Sequence, residues 1–148
     1  MARKFPLQTL LDLSQSHADA AAKNLLALKV RWHEAEEKLG QLLAYRESYR
    51  GRLRDLASSA AALRDFQLFM VKLDTAIKLQ QDEVARCQAR WNAGQQEWLR
   101  QRGKAKAYDA LSARHKRAEE QREERLEQKE QDELANNKQN QGRRTEGE

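Results

Sequence analysis

The fold is decided by the stretch Leu25-Leu26-Ala27-Leu28-Lys29-Val30-Arg31-Trp32-His33-Glu34-Ala35-Glu36-Glu37-Lys38-Leu39. Leu25, Trp32 and Leu39 stand seven residues apart, and Leu28 and Ala35 follow the first two by three. Spacing of three and four residues places all five on one stripe of a helix. Carried outward, the first set becomes Leu11, Ala18, Leu25, Trp32, Leu39, Arg46 and Leu53. The second becomes Ser14, Ala21, Leu28, Ala35, Leu42, Tyr49 and Leu56, and twelve of these fourteen positions are apolar or aromatic. A pattern held for seven heptads is a coiled-coil seam, not a short amphipathic helix. Pro6 sits near the start, where a first-turn proline is tolerated.

A second seam follows in a different frame. Its a positions are Leu63, Met70, Ile77, Val84, Trp91, Trp98 and Ala105, and its d positions are Phe66, Leu73, Gln80, Cys87, Gly94, Gln101 and Tyr108. Eleven of the fourteen are apolar or aromatic, counting Cys and not Gly. The first frame would put a d residue at 63, where the second has an a residue, so the chain breaks between them. The break falls in Ala57-Ser58-Ser59-Ala60-Ala61-Ala62, where Ser58 or Ser59 is a candidate cap for the second helix. Two helices of about 46 residues would each run roughly 70 Å at 1.5 Å per residue. A short connection makes them antiparallel neighbours. Folding about residue 59 or 60 sets Leu11 near Tyr108, Trp32 near Cys87 and Tyr49 near Met70. The expected fold is all-α, an antiparallel two-helix coiled-coil hairpin in one domain over 1–135. Helix 1 spans about 5–56, the turn about 57–62 and helix 2 about 63–135.

Past Leu111 the pattern changes. Arg114 to Arg125 offers only alanine as an apolar residue, yet stays helix-forming. Helix 1 has run out here, since Met1 pairs near residue 118, so helix 2 should overhang its partner. Residues 136–148, rich in Asn, Gln, Gly and charge, read as a disordered tail.

Composition agrees. The 148 residues are 39% hydrophobic and 34% charged, with mean hydropathy −1.01, one Pro and six Gly. With 22 Ala and 15 Gln, the mixture favours long helices and excludes sandwiches, Rossmann domains and barrels, which need turns and β-branched runs. Net charge is +5, distributed as 10 cations and 7 anions over 1–56, 9 and 5 over 57–108, and 9 and 11 over 109–148. A single Cys, Cys87, excludes an internal disulfide and fits a cytosolic setting. There is neither an apolar run of membrane-spanning length nor a secretory signal pattern. No phosphate loop or nucleophile elbow occurs. His17, His33 and His115 are scattered, with no metal-ligand spacing. The sequence therefore points to no enzyme, cofactor or metal site, and Cys87 at a d position reads as a buried, inert thiol.

Three surface features stand out. Arg46, Arg50, Arg52, Arg54 and Arg64 make a basic cluster near the hairpin tip, fit for an acidic protein surface or simply solvated. Phe69, Leu73 and Ala76 form an apolar stripe, partly outside the seam. Antiparallel pairing sets Tyr49 opposite Met70 and Tyr45 opposite Asp74, joining Leu42, Tyr45 and Tyr49 to that stripe. Two helices cannot bury such flanking rings fully, so the six residues either wrap the seam or form a docking patch. The third feature is the overhang 114–135, which gains nothing from packing unless a partner orders it.

Taken together, several pieces resemble the flagellar FliJ family. They are Phe5-Pro6-Leu7-Gln8-Thr9-Leu10-Leu11-Asp12-Leu13, Ala35-Glu36-Glu37-Lys38-Leu39, Tyr45-Arg46-Glu47-Ser48-Tyr49-Arg50, and Phe66 through Ile77. Trp98 with its basic run and Arg125 through Ala135 also match, so order and spacing agree over about residues 5–135. The resemblance implies a hairpin like the central stalk of rotary ATPases, serving the flagellar type III export apparatus. It implies as partners the hexameric export ATPase FliI, its regulator FliH, the export gate protein FlhA and unladen export chaperones. It implies no nucleic acid, no cofactor, and a cytoplasmic location peripheral to the inner membrane at the flagellar base. By the same resemblance, Phe69, Leu73 and Ala76 match the family's gate-contacting face, with Leu42, Tyr45 and Tyr49 on the facing helix. Gln80 stands where some relatives carry His. Residues 3–13 with 114–135 would form the ATPase-facing end.

Other readings share the fold. The stalk of a virulence-type secretion injectisome would look much the same, and a plain coiled-coil scaffold is a third possibility. A nucleic-acid-binding rod would instead show affinity falling steeply with salt.

Overall fold

The computed structural model describes residues 3–56 and 59–147, without the side chains of Arg54 and Leu56. Two helices account for nearly all of it: α1, Gln8–Leu56, of 49 residues, and α2, Ala60–Glu146, of 87 residues. Pro6 and Leu7 form a turn before α1, and the Phe5 carbonyl accepts the Gln8 N–H at 3.1 Å. Ser59 caps α2: its Oγ accepts the Ala62 N–H at 3.3 Å and its carbonyl the Leu63 N–H at 3.1 Å. The cap satisfies a donor that the first helical turn leaves open. Of the two candidate caps, Ser58 lies outside the described residues.

The described residues divide into two compact units. The first is His17–Gln101. Here the two helices pair antiparallel: the Trp32 and Trp91 rings meet at 5.4 Å and those of Tyr49 and Phe66 at 5.2 Å. Every seam position from Ala18 to Leu53 and from Phe66 to Gln101 is buried or half-buried. The core is one layer deep. Ile77, Leu73, Cys87, Phe66 and Ala35 are its most enclosed residues, and none of the described side chains is completely covered. Burying one aliphatic side chain of this size is worth about 1.5–3 kcal/mol.

The polar seam positions find specific partners. Gln80 Nε2 donates to the Ala35 carbonyl at 2.9 Å, a bond that crosses from helix to helix. Ala35 is small enough to let the amide reach the backbone. Gly94 makes room for Leu28: a Cβ built there would lie 2.6 Å from Leu28 Cδ1. Arg46, a charge within the first seam, reaches Asp74 at 3.5 Å. Arg46 Nε and the indole N–H groups of Trp32 and Trp91 are buried with no acceptor among the described residues.

One seam assignment is corrected. Leu63 is 42% exposed. It lies in the first turn of α2, where neighbouring turns can cover a side chain from one direction only.

The second unit joins the residues up to Ser16 to those from Arg102 onward. Leu11 and Ser14 are buried in it. The α2 frame continues through Ala105, Tyr108, Ser112, His115 and Glu119, all half-buried. Packing thus extends past Leu111, using polar residues that bind the segment before α1. The Arg3 carbonyl lies 2.9 Å from His115 Nε2, and since a carbonyl only accepts, Nε2 carries the proton. The Arg3 N–H donates to Glu119 Oε2 at 3.4 Å, and the Phe5 ring sits 5.6 Å from the His115 ring. Beyond Glu119, every residue from Glu120 to Gly147 is exposed.

The segment 136–148, expected as a disordered tail, is helical in its described part, since α2 runs on to Glu146. No proline interrupts it, and Arg143 and Arg144 in the last turn complement the negative end of the helix dipole.

Candidate partner-binding surface

All six residues of the candidate patch belong to the His17–Gln101 unit. α1 supplies Leu42, Tyr45 and Tyr49, one helical turn apart; α2 supplies Phe69, Leu73 and Ala76. Three of them form a ring cluster. Tyr49 lies 4.4 Å from Phe69 at 36°, and Tyr45 meets Phe69 edge-on at 6.0 Å and 72°. Tyr45 and Tyr49 are 6.0 Å apart. A fourth ring, Phe66, stacks on Tyr49 at 5.2 Å and 6°. Phe66 was legible only as a seam residue; its place in the cluster depends on which rings the register brings together. Such pairs add about 0.5–1.5 kcal/mol each beyond area burial.

Exposure separates the six residues. Tyr45 is 47% exposed and Leu73 only 6%. Leu42, Tyr49, Phe69 and Ala76 are half-buried. The rings therefore lie over the seam and leave Tyr45 as their outer edge. Leu73 belongs to the core and offers no free surface. Asp74, expected opposite Tyr45, gives its carboxylate to Arg46 at 3.5 Å. That bond crosses between the helices next to the rings and helps hold the register.

The expected basic cluster is only partly free. Arg46 is engaged by Asp74, and Arg50 by Glu47 at 3.5 Å. Arg52 and Arg64 have no ion pair among the described residues. The side chain of Arg54 lies outside the described residues.

Cys87 is buried, and its Sγ lies 3.5 Å from Glu83 Oε1. Burial, then the hydrogen bond to Glu83, pushes the thiol above its ordinary range. Glu83 is itself held low, first by its hydrogen bond to Arg86 and then by Cys87. A thiol of this kind is a poor nucleophile. Among the described residues no three His, Cys, Asp or Glu side chains are grouped to hold a metal ion. No described helix is long and apolar enough to cross a membrane.

Comparison with known proteins gives one consistent result. A family model described as Flagellar FliJ protein matches residues 3–144. A Flagellar FliJ protein of Salmonella typhi is 29% identical over 117 residues, 77% of this chain and 80% of its own length. A Flagellar FliJ protein of Escherichia coli (strain K12) is 28% identical over 121 residues, 80% of this chain and 82% of its own length.

Proposed function

This chain belongs to the flagellar FliJ protein family and is thus a flagellar export component, and on that premise we propose that it works as a non-enzymatic stalk. In this reading it binds the hexameric export ATPase FliI, alongside its regulator FliH, and promotes ring assembly and turnover. It couples the ring to the gate protein FlhA and receives unladen export chaperones. It acts in the cytoplasm, peripheral to the inner membrane at the flagellar base.

The observation that carries the reading is the family match over residues 3–144. Two features of the chain support it. α2 extends from residue 120 to Glu146 as a helix with every residue exposed, a shape suited to a partner that encloses it. The ring cluster leaves Tyr45 exposed beside Phe69, which suits a contact with the gate. Leu42, Tyr49, Leu73 and Ala76 would support these two rings from beneath rather than touch the partner.

The test is ATP hydrolysis by the purified export ATPase with and without this protein, with particle images collected alongside. Faster turnover and more six-membered rings are expected. No effect on either would overturn the stalk role. For the gate, Tyr45→Ser should weaken binding at least tenfold with helicity unchanged; unaltered binding would sink the patch assignment.

A further inference from the structure

α2 carries a second apolar surface, on the side away from the seam. Leu68, Val71 and Leu79 are exposed by 64%, 65% and 63%. At 100° per residue, Leu68, Thr75 and Leu79 fall within about 40° of one another and Val71 about 40° further round. Thr75 fits the stripe, because its Oγ1–H donates to the Val71 carbonyl at 2.9 Å and so has no proton to offer solvent. The same face further along α2 reads Asp82, Arg86, Ala89 and Ala93, without a large aliphatic side chain. The stripe is therefore local: about 16 Å long, or three turns. It lies about 100° round the helix from Phe69, apart from the ring cluster.

The charges around the stripe select its occupant. Between Phe66 and Gln81 the only charged residues are Lys72, Asp74 and Lys78. Asp74 is taken by Arg46. Lys72 and Lys78 flank the stripe on its two sides, and neither has an ion pair among the described residues. A second copy of this chain is a poor occupant, since a two-fold contact through this face would bring lysines against lysines.

From this arrangement we infer that the Leu68–Val71–Leu79 face docks an amphipathic helix of another protein, one with an aliphatic stripe flanked by carboxylates. The aliphatic side chains provide the buried area, and Lys72 and Lys78 meet the acidic flanks. The inference does not rest on the proposed contacts with the ATPase or the gate.

The test uses the full chain and three labelled helical peptides of equal length. One carries Leu at i, i+3 and i+7 with Glu flanks, the second the same Leu with Lys flanks, and the third Ala in place of Leu with Glu flanks. Binding is read by fluorescence anisotropy at about 0.15 M salt, where the Debye length is about 8 Å. The Leu/Glu peptide should bind saturably and at least tenfold tighter than either control. The double variant Leu68→Ser with Leu79→Ser should lose at least tenfold, as should Lys72→Glu with Lys78→Glu, both keeping wild-type helicity by circular dichroism. All four positions are exposed, so neither variant should unfold the chain. No binding, equal binding of the Lys-flanked peptide, or indifference to the serine variant would overturn the inference. So would sedimentation showing a dimer that the serine variant dissociates, since the occupant would then be a second copy.

Discussion

Two stretches of α2 are equally helical for different reasons. From Phe66 to Glu119 the helix presents a buried or half-buried residue at every a and d position. From Glu120 to Glu146 it presents none. The first stretch is held by packing against residues that precede it in the chain. The second rests on the propensity of Glu, Gln, Arg, Lys and Ala and on side-chain pairs worth tenths of a kcal/mol each. Helicity alone therefore says little about stability: a substitution that matters in one stretch should be nearly silent in the other.

The strongest way to break this contrast is a matched pair of truncations. Ile77→Ala should cost about 2–5 kcal/mol, and Leu134→Ala no more than about 0.5 kcal/mol, by urea unfolding followed by circular dichroism. Equal costs would mean that the exposed stretch is packed after all.

Gly94 sharpens the contrast within the seam. Gly94→Leu should cost about 1–3 kcal/mol, because even its Cβ would lie 2.6 Å from Leu28 Cδ1. Gly94→Ala should cost less, since helix propensity returns up to about 1 kcal/mol and Leu28 can shift its terminal methyl. The order of the two midpoints by thermal unfolding checks this reading; a Leu variant as stable as wild type would mean that Leu28 does not need the space.

Removing the cap by Ser59→Ala should cost about 1 kcal/mol. Urea midpoints would show the loss, and Ser59→Asp should restore most of it. The smallest effect is expected from deleting residues 121–148. The cooperative midpoint should move by only a few tenths of a kcal/mol while the total helical signal falls. A large shift would show that the exposed stretch supports the packed one.

Much of the fold was legible in the sequence because a seam repeats. Each heptad restates the same choice of face, so Arg46, Gln80 or Gly94 cannot hide the frame. The frame offset between the seams located the break, and serine chemistry supplied the cap. Parts of the candidate surface were less legible. Tyr45 and Phe69 were identifiable as rings beside the seam, but Phe66 joins them only because the register sets it on Tyr49. Leu73 was legible both as a stripe residue and as a d position, and the structure places it in the core. The outer residues Leu68, Val71 and Leu79 follow no heptad rule, and spacing along the seam gave no reason to single them out.

The sequence by itself determined that two long helices form, where they break and the face each turns inward, because these depend on local spacing and propensity; it did not show α2 continuing from 136 to Glu146. Only the tertiary structure decided which side chains meet: Tyr49 with Phe66, Arg46 with Asp74, Gln80 with the Ala35 backbone, Leu28 in the space left by Gly94. Those pairings depend on the relative register of two strands of sequence far apart in the chain. A heptad repeat leaves several registers nearly alike, and the choice among them falls to side-chain volume and to polar groups that must find a partner once buried.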